Sequence, residues 1–329
     1  MPSSFFRAPR RLIPVGAIPV VLLLTLDSGP VRACATCGCT LSTDAAMGFT
    51  TRPGWRVNLQ YDYINQDQLR HGTGTASVVP EGNELEHGTR NDYITTAVSY
   101  APNARWSLNL IVPYVIRKHT TYGEFDPLAT LELSGSQSSS PGDVKLTGGY
   151  QGFLPTHNLG IQLGVKLPTG DHGDDVRFSS GPGAGEPLDA SLQPGTGSTD
   201  LVLGAYYYQA LSQDFDGFAH VTFQAAVATS FDYRPGNSVN LSTGVRYVGS
   251  PDWVPQLQVN IQHKGRDGGE NADPDNSIGS FVYLSPGLSF QGMKHTRLYG
   301  YVQLPVYQNL DGWQLAPRWT ASLGITREF

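Results

Sequence analysis

The chain has 329 residues and a formal net charge of −6, and it contains 38 glycines, 16 tyrosines and 3 cysteines. An acidic chain is a poor ligand for nucleic acid, so we exclude nucleic acid as a partner. Abundant glycine and tyrosine with little cysteine suit a β-rich protein, and the length allows one large β domain or two smaller ones.

The first 33 residues resemble a secretory signal peptide. A basic start at Arg7, Arg10 and Arg11 precedes the apolar run 12–26, and small residues lead up to Ala33. The run is shorter than the roughly 20 residues that span a bilayer as a helix, and it contains prolines, so a membrane anchor is disfavoured. We predict Sec-type export with cleavage after Ala33.

All three cysteines lie in the motif that follows, Cys34-Ala35-Thr36-Cys37-Gly38-Cys39. Three close thiolates suit a soft ion such as Cu(I) or Zn²⁺. An oxidising periplasm instead favours a disulfide between Cys34 and Cys37, which leaves Cys39 for another chain, and lipidation of Cys34 is a third reading. Residues 34–53 show no strand alternation. We predict that they form a separate periplasmic segment that binds a metal or docks a periplasmic partner, or a plug.

The first predicted strand covers residues 54–64 and alternates at a period of two. Such alternation indicates a strand with one apolar and one polar face. The apolar face carries Trp55, Val57, Leu59, Tyr61 and Tyr63. The polar face carries Arg56, Asn58, Gln60 and Asp62.

The same pattern recurs along the rest of the chain and gives about twelve strands, each near the ~9–11 residues that a tilted strand needs to cross a bilayer. The further predicted strands are 91–101, 105–116, 142–151, 159–167, 199–210, 217–231, 238–248, 254–264, 278–289, 296–305 and 318–328. Long and short connections take turns, and the long ones are 65–90, 117–141, 168–198, 265–277 and 306–317.

A secreted β-sandwich would also give alternating strands, but three features favour a membrane barrel. Connection lengths alternate, the chain ends on Phe329 as closing strands of bacterial outer-membrane barrels do, and aromatic residues cluster near strand ends. These aromatic residues are Trp55, Tyr63, Trp106, Tyr114, Tyr247, Trp253 and Trp319. We predict an all-β, antiparallel up-and-down transmembrane barrel over residues 54–329 of a Gram-negative outer membrane. Its short turns would face the periplasm, and its longer loops would face lipopolysaccharide.

Three short motifs carry a family resemblance. Leu167-Pro168-Thr169-Gly170-Asp171 is followed by Gly195-Thr196-Gly197-Ser198-Thr199-Asp200, and Gly142-Asp143-Val144 opens an earlier strand. Together they resemble the outer-membrane protein family named after the meta-pathway of phenol degradation. The resemblance implies an outer-membrane transporter or channel, linked in some members to uptake of aromatic or other small hydrophobic compounds.

The motif residues can also be interpreted as turn formers that bind no ligand. Glycine permits backbone angles closed to other residues, and aspartate bonds neighbouring amides. The predicted motif turns contain Pro168, Thr169, Gly170, Asp171, Gly195, Gly197 and Asp200. An alternative is that Asp171, Asp174 and Asp175, near His172, hold a cation outside the barrel.

Charged residues on the polar strand faces are predicted to line the lumen, where they would border an aqueous path or cross-link and close it. They are Arg56, Asp62, Lys145, Lys166, Arg246 and Arg318. No enzyme signature or catalytic residue stands out, and the acidic group at 81–87 reads as a solvated loop patch. Three functions are left open: a porin-like channel for small solutes, a metal-handling or redox component, and an adhesive or structural barrel.

Overall fold

A computed structural model describes residues 53–329, whose strands form one antiparallel β-sheet. Among these residues no helix has the length and apolar character to cross a membrane; a single 3-10 turn covers Ala190–Leu192. The strands are β1 Gly54–Gly72, β2 Gly74–Thr75, β3 Glu84–Asn103, β4 Trp106–Glu124, β5 Ser134–Pro141, β6 Val144–Tyr150, β7 Leu159–Leu167, β8 Ser198–Ala210, β9 Phe215–Thr229, β10 Ser238–Tyr247, β11 Trp253–Lys264, β12 Gly279–Met293 and β13 Thr296–Glu328.

The sheet closes into a barrel because β13 pairs with both β12 and β1. The chain reverses near Gly312, so that β13 forms two arms of a hairpin; its first arm pairs with β12 and its second with β1. The backbone N–H of Phe329 donates to the Trp55 carbonyl at 2.9 Å and ties the two ends of the barrel together. Closure leaves no open sheet edge at this seam, which is the condition for a sheet to stand in lipid.

β5 and β6 lie end to end against β4, with a break at Gly142 and Asp143. β5 pairs with the half of β4 nearer the long loops, and β6 pairs with the half nearer the short turns. If β5 and β6 together count as one membrane crossing and the two arms of β13 count as two, the described residues form twelve membrane-crossing strands. The all-β antiparallel barrel of about twelve strands predicted from the sequence is confirmed.

The two faces of the wall have opposite polarity. On β1, Trp55, Leu59 and Tyr61 are exposed on the outside, whereas Asn58 and Gln60 are buried on the inside. An apolar outside and a polar inside reverse the arrangement of a soluble protein, so lipid is the solvent that the outer face meets. The prediction of an outer-membrane barrel is confirmed, and no second sheet packs on the apolar face of the described strands.

Aromatic residues form a belt at the end of the barrel that carries the short turns. Neighbouring strands there contribute ring pairs whose centroids lie 4.6 to 5.4 Å apart. The pairs are Trp55 with Tyr100, Trp106 with Tyr150, Phe215 with Tyr247, and Trp253 with Phe290. Tyr63 and Trp319 pair at 5.3 Å higher on the wall. Two aromatic levels mark the interfaces of the membrane.

The strands extend further beyond the outer aromatic level than the sequence predicts. β1 runs to Gly72 and β4 to Glu124, and residues 134–141 form β5 where a long loop was expected. Residues 306–317 also continue the two arms of β13 rather than forming a loop. These predictions were wrong because the alternation that reveals a strand needs lipid on one side. Above the bilayer both faces meet water or polar groups, so the pattern disappears.

Candidate functional site: the barrel lumen

Two cavities lie along the polar face inside the barrel. The larger has a volume of about 490 Å³ and is lined by side chains from strands around the whole circumference, from Gln60 on β1 to Gln303 on β13. The smaller, about 200 Å³, lies at the short-turn end beside Arg56 and Phe329. Gln162 on β7 lines both. The cavities therefore adjoin along the axis of the lumen.

The long connection 168–197, which we name the lumen loop, folds into the larger cavity. Ser191, Gln193 and Thr196 of this loop line the cavity wall. The Gln193 side chain donates to the carbonyls of Gly173 and Leu188 at 2.7 and 2.8 Å, which rigidifies the loop from within. A loop inside a barrel of this size narrows the path that a solute can take.

Arg117 on β4 joins the lumen loop to the wall. Its guanidinium donates to the backbone carbonyls of Leu192 and Gln193, and also to the Asn91 side chain and the Tyr93 hydroxyl. Every acceptor is neutral. Arg117 is buried, and hydrogen bonds satisfy its guanidinium, but none of these contacts supplies a negative charge to balance it.

Asp143, at the break between β5 and β6, fastens both ends of the lumen loop. Its carboxylate accepts from Gly170 N at 3.2 Å, where the loop begins, and from Thr196 N and Oγ1 at 3.0 and 2.8 Å, where it ends. Lys166 Nζ lies 2.9 Å from Asp143 and 3.1 Å from Asp200, and all three side chains are almost fully buried. We call Asp143, Lys166, Thr196 and Asp200 the clamp.

Three glycines bring the backbone close enough for the clamp to form. A Cβ added at Gly170 would lie 2.8 Å from the Gly195 Cα and 2.9 Å from the Gly142 Cα. Any side chain here would push the two loop ends away from Asp143. The motifs Gly142-Asp143, Pro168–Asp171 and Gly195–Asp200, which lie apart in the sequence, therefore meet at one point in the structure.

An apolar cluster lies at the outer end of the barrel, between the lumen loop and the wall. It brings loop residues together with the outer ends of β1, β3 and β13. Its buried members are Leu69, Val79, Leu85, Val176, Leu188, Leu192 and Leu315. Burial of these side chains stabilises the position of the lumen loop by about 25 cal/mol per Å² of apolar surface. The cluster holds the loop at the outer end of the barrel, and the clamp holds the two ends of the loop.

The predicted lumen-lining charges lie at different places. Lys145 and Lys166 line the larger cavity, and Arg56 lines the smaller one. Asp62 is buried on the inner face of β1, where it accepts from Gln60 and Ser322. Arg246 pairs with Asp216 at 3.1 Å. Arg318 borders neither cavity; its side chain is 62% exposed and pairs with Asp67.

The predicted motif turns serve the lumen loop. Thr169 Oγ1 accepts from Val144 N and donates to the Gly142 carbonyl, which extends the contact that starts at the clamp. The Asp171 carbonyl accepts from Gly195 N at 2.8 Å, and the Gly197 carbonyl accepts from Ser230. Pro168 begins the loop directly after β7.

The cation alternative for this loop finds no geometric support. Asp175 accepts from His172 N, and Asp174 pairs with Arg177 at 3.6 Å. Within residues 53–329 no three His, Cys, Asp or Glu side chains converge in a way that could hold a metal. The predicted metal ligands Cys34, Cys37 and Cys39 lie outside the described residues.

Sequence reasoning missed Arg117, Tyr93 and Gln193, although all three line the larger cavity. Arg117 and Gln193 lay in segments predicted to be external loops, so neither was considered as a lumen residue. The usable signal was weak: a lone arginine next to a strand that alternates up to Ile116. Only the inward path of the lumen loop gives it a role.

The fold and the lumen define the class: an outer-membrane β-barrel whose lumen is narrowed by an inserted loop. Its overall fold is similar to that of an outer-membrane channel from Pseudomonas putida F1, with a TM-score of 0.58 and 14% identity over 84% of this chain and 96% of that one.

Two further solved structures match more loosely. The toluene transporter TbuX of Ralstonia pickettii aligns at a TM-score of 0.46 and 10% identity, over 92% of this chain and 96% of that one. The monoaromatic hydrocarbon channel CymD aligns at 0.46 and 13% identity, over 90% and 94%. No family model and no curated protein matches the chain.

Proposed function

We propose that this chain is an outer-membrane channel for small solutes, with hydrophobic or aromatic compounds among them, and that it is not an enzyme. The observation that carries the proposal is the pair of adjoining cavities along the axis of a closed barrel, which share Gln162. A barrel that served only as a structural support or adhesin would gain nothing from a cavity of about 490 Å³ at its centre.

The lining of the larger cavity suits a solute that is both small and amphipathic. Tyr93, Val115 and Val202 offer apolar surface beside the polar groups of Gln60 and Asn240. Sites that bind small molecules combine an apolar wall with a few placed polar groups in this way. The clamp and Arg117 hold the lumen loop across the path, so the loop sets the size of the solute. The Pseudomonas putida F1 protein of similar fold bears the name of a channel, which agrees with this proposal.

Ion conduction and solute entry test the proposal together. We expect the purified, folded protein to give discrete current steps in planar bilayers, and vesicles that contain it to swell in small sugars or amino acids but not in large ones. Heat-modifiable migration on a gel verifies that the barrel is folded before each measurement. Folded protein that gives neither current nor swelling would contradict a channel and favour an adhesive or structural barrel.

A metal-handling role, the second reading, depends on Cys34, Cys37 and Cys39. In that reading the thiolates hold Cu(I) or Zn²⁺ at the periplasmic end, where a partner could exchange the ion. The cysteine motif alone favours it. It is compatible with a channel, because the segment precedes the barrel.

A further inference from the structure

Two lysines face each other on the wall of the larger cavity. Lys145 on β6 and Lys166 on β7 are direct partners in the antiparallel register, and both line the cavity. Like charges directly opposite on neighbouring strands are destabilising. Lys166 is compensated, because Asp143 and Asp200 lie within 3.1 Å of its ammonium group. The two carboxylates balance the two lysines in total charge, but both of them contact Lys166 and neither contacts Lys145.

Lys145 is not compensated in the same way. Among the described residues it makes no hydrogen bond and no ion-pair contact; Asp143 and Asp200 attract it only at longer range, because their oxygens contact Lys166 and the loop ends. An ammonium group withdrawn from bulk water without a partner is costly, and such groups are normally found paired. The lysine is thus placed to receive an anion from the cavity.

The charges around the cavity are mostly positive. The lining includes four cationic side chains, Arg117, Lys145, Lys166 and Lys264, and one carboxylate, Asp143. Behind the wall, Asp200 pairs with Lys166 and Asp267 with Lys264, which still leaves a positive excess. Four cations and three carboxylates leave one net positive charge, and Lys145 and Arg117 are the two cations that contact no carboxylate. This occurs in a chain whose net charge is −6.

We propose that the larger cavity binds a small organic monoanion, a carboxylate attached to an apolar body, with the carboxylate against Lys145. The proposal rests on the proposed channel function and names the class of solute. A single free ammonium group favours one negative charge. Ile111 is the register partner of Lys145 on β4, and Pro113 and Val115 follow on the same cavity wall, so an apolar body has a surface beside the charge.

Equilibrium binding tests the site without any assumption about conduction. Benzoate and its neutral analogue benzyl alcohol are titrated separately into folded protein, and binding is followed by calorimetry. We expect benzoate to bind at least about tenfold more tightly, because only its carboxylate can accept a charge-assisted hydrogen bond from the ammonium group. Lys145→Gln should remove that preference and Lys145→Arg should restore it. Lys118→Gln, which removes an exposed lysine outside the cavity, should leave it unchanged.

Two results would overturn the site: equal affinity for benzoate and benzyl alcohol, or unchanged benzoate binding in folded Lys145→Gln. Acetate binding as tightly as benzoate would overturn the part of the proposal that assigns an apolar body to the solute.

Reversal potentials in a KCl gradient give a second measurement. We expect anion selectivity for the natural chain and a shift toward cations for Lys145→Gln. Benzoate binding in a protein that carries no current would refute the channel while supporting the anion site.

Discussion

Asp143 shows how much of the architecture one carboxylate can support. It accepts hydrogen bonds from Gly170, near the start of the lumen loop, and from Thr196, near its end, while it also pairs with Lys166. Hydrogen bonds to an ionised acceptor are roughly twice as strong as neutral ones. Because these partners belong to three separated stretches of chain, the loss of this one side chain affects β6, β7 and the loop at once.

We expect Asp143→Ala to destabilise the barrel by about 3–5 kcal/mol, since the facing ammonium groups of Lys145 and Lys166 would then share the single carboxylate of Asp200 and one buried positive charge would be uncompensated. The matched control is Asp67→Ala, which breaks the exposed pair with Arg318 and should cost only about 0–1 kcal/mol. Urea unfolding in lipid vesicles, followed by tryptophan fluorescence, measures both. Similar losses for the two variants would mean that the clamp contributes nothing special.

Glu86 makes the stability of the outer end depend on pH. It lies six residues beyond Asp92, the register partner of Tyr63 at the outer aromatic level, and is therefore above the bilayer. Burial, and secondarily the nearby Glu84 carboxylate, raise the pKa of Glu86 well above its usual value. The folded state thus retains a proton that the unfolded chain, with a pKa of about 4.3, loses first.

Stability should therefore fall as the pH rises from about 4.3 through the raised pKa, by about 1.4 kcal/mol for each unit that separates the two pKa values. Glu86→Gln, which stays neutral, should be more stable than the natural chain at pH 8 and lose this advantage at pH 4. Unfolding curves at the two pH values measure the difference. An advantage of equal size at both would show that ionisation of Glu86 is not the cause.

The cysteine motif makes a separate prediction about metal. If the three thiolates hold Cu(I) or Zn²⁺, elemental analysis of reduced, mature protein should find about one ion per chain, in line with the tetrahedral or trigonal thiolate sites of these metals. Cys37→Ser with Cys39→Ser should abolish it. The same metal content in the double variant would refute the site, and a mass lower by two hydrogens in unreduced protein would indicate the disulfide instead.

At the scale of elements, the lumen loop determines how wide the path is. It reaches the cavity through Gln193 and Thr196 and is held by Arg117, the clamp and the apolar cluster. Three independent attachments make it a fixed constriction rather than a mobile lid. A fixed loop sets a constant size limit for solutes, so its removal should change conductance without changing the barrel.

Replacement of residues 172–194 by a short Gly-Ser linker should raise single-channel conductance several-fold and let larger sugars enter vesicles, because the wall alone then limits the path. The control shortens the exposed turn 126–131, in which Leu128 is 94% exposed and contacts no part of the lumen, and should change neither value. An unchanged conductance in a folded, loop-replaced barrel would place the constriction elsewhere.

Elements could be predicted from the sequence only where lipid imposes a pattern. The inner part of β1 alternates cleanly and was found, whereas Ser134–Pro141 is polar on both faces and was missed as a strand. Lys145 and Lys166 were assigned to the lumen by alternation, and the structure places them on the cavity wall. The same alternation predicted that Arg318 lines the lumen, but Arg318 borders neither cavity. The β1–β13 register shifts between Ile64 and Gln68, and a shift of one residue moves side chains to the other face.

The site was less predictable than the fold for a related reason. Contacts such as those of Asp143 join residues 143, 166, 170 and 196, and no local pattern encodes which of them meet. The family resemblance marked the same motifs without stating their role. Their part as a clamp follows from three-dimensional placement of the lumen loop, which depends on packing inside the barrel.

For the whole molecule, the solvent on the outer face decides the energetics. Leucine, valine and tryptophan side chains cover the outside between the two aromatic levels, while hydrogen-bonded amides and hydroxyls fill the inside. In water such a surface would be a large aggregation-prone patch. In lipid the same surface stabilises the barrel, so stability and membrane insertion become one property.

A charge placed on that surface should reveal which solvent it meets. Leu59 lies midway between Trp55 and Tyr63 on the outside of β1 and is 46% exposed. We expect Leu59→Arg to destabilise the barrel in vesicles by about 2–4 kcal/mol, the cost of an arginine near the bilayer midplane. Leu128→Arg, in a turn outside the membrane where the side chain is 94% exposed, should be nearly neutral.

The comparison separates lipid from water because both leucines are exposed in the isolated barrel, Leu59 on the wall between the aromatic levels and Leu128 in a turn beyond them. In detergent of shorter chain length the penalty at Leu59 should shrink, since a thinner apolar layer lets the guanidinium reach water. If Leu59→Arg and Leu128→Arg unfold at the same urea concentration in vesicles, lipid does not cover the outer face of β1, and the placement of the barrel in the membrane is wrong.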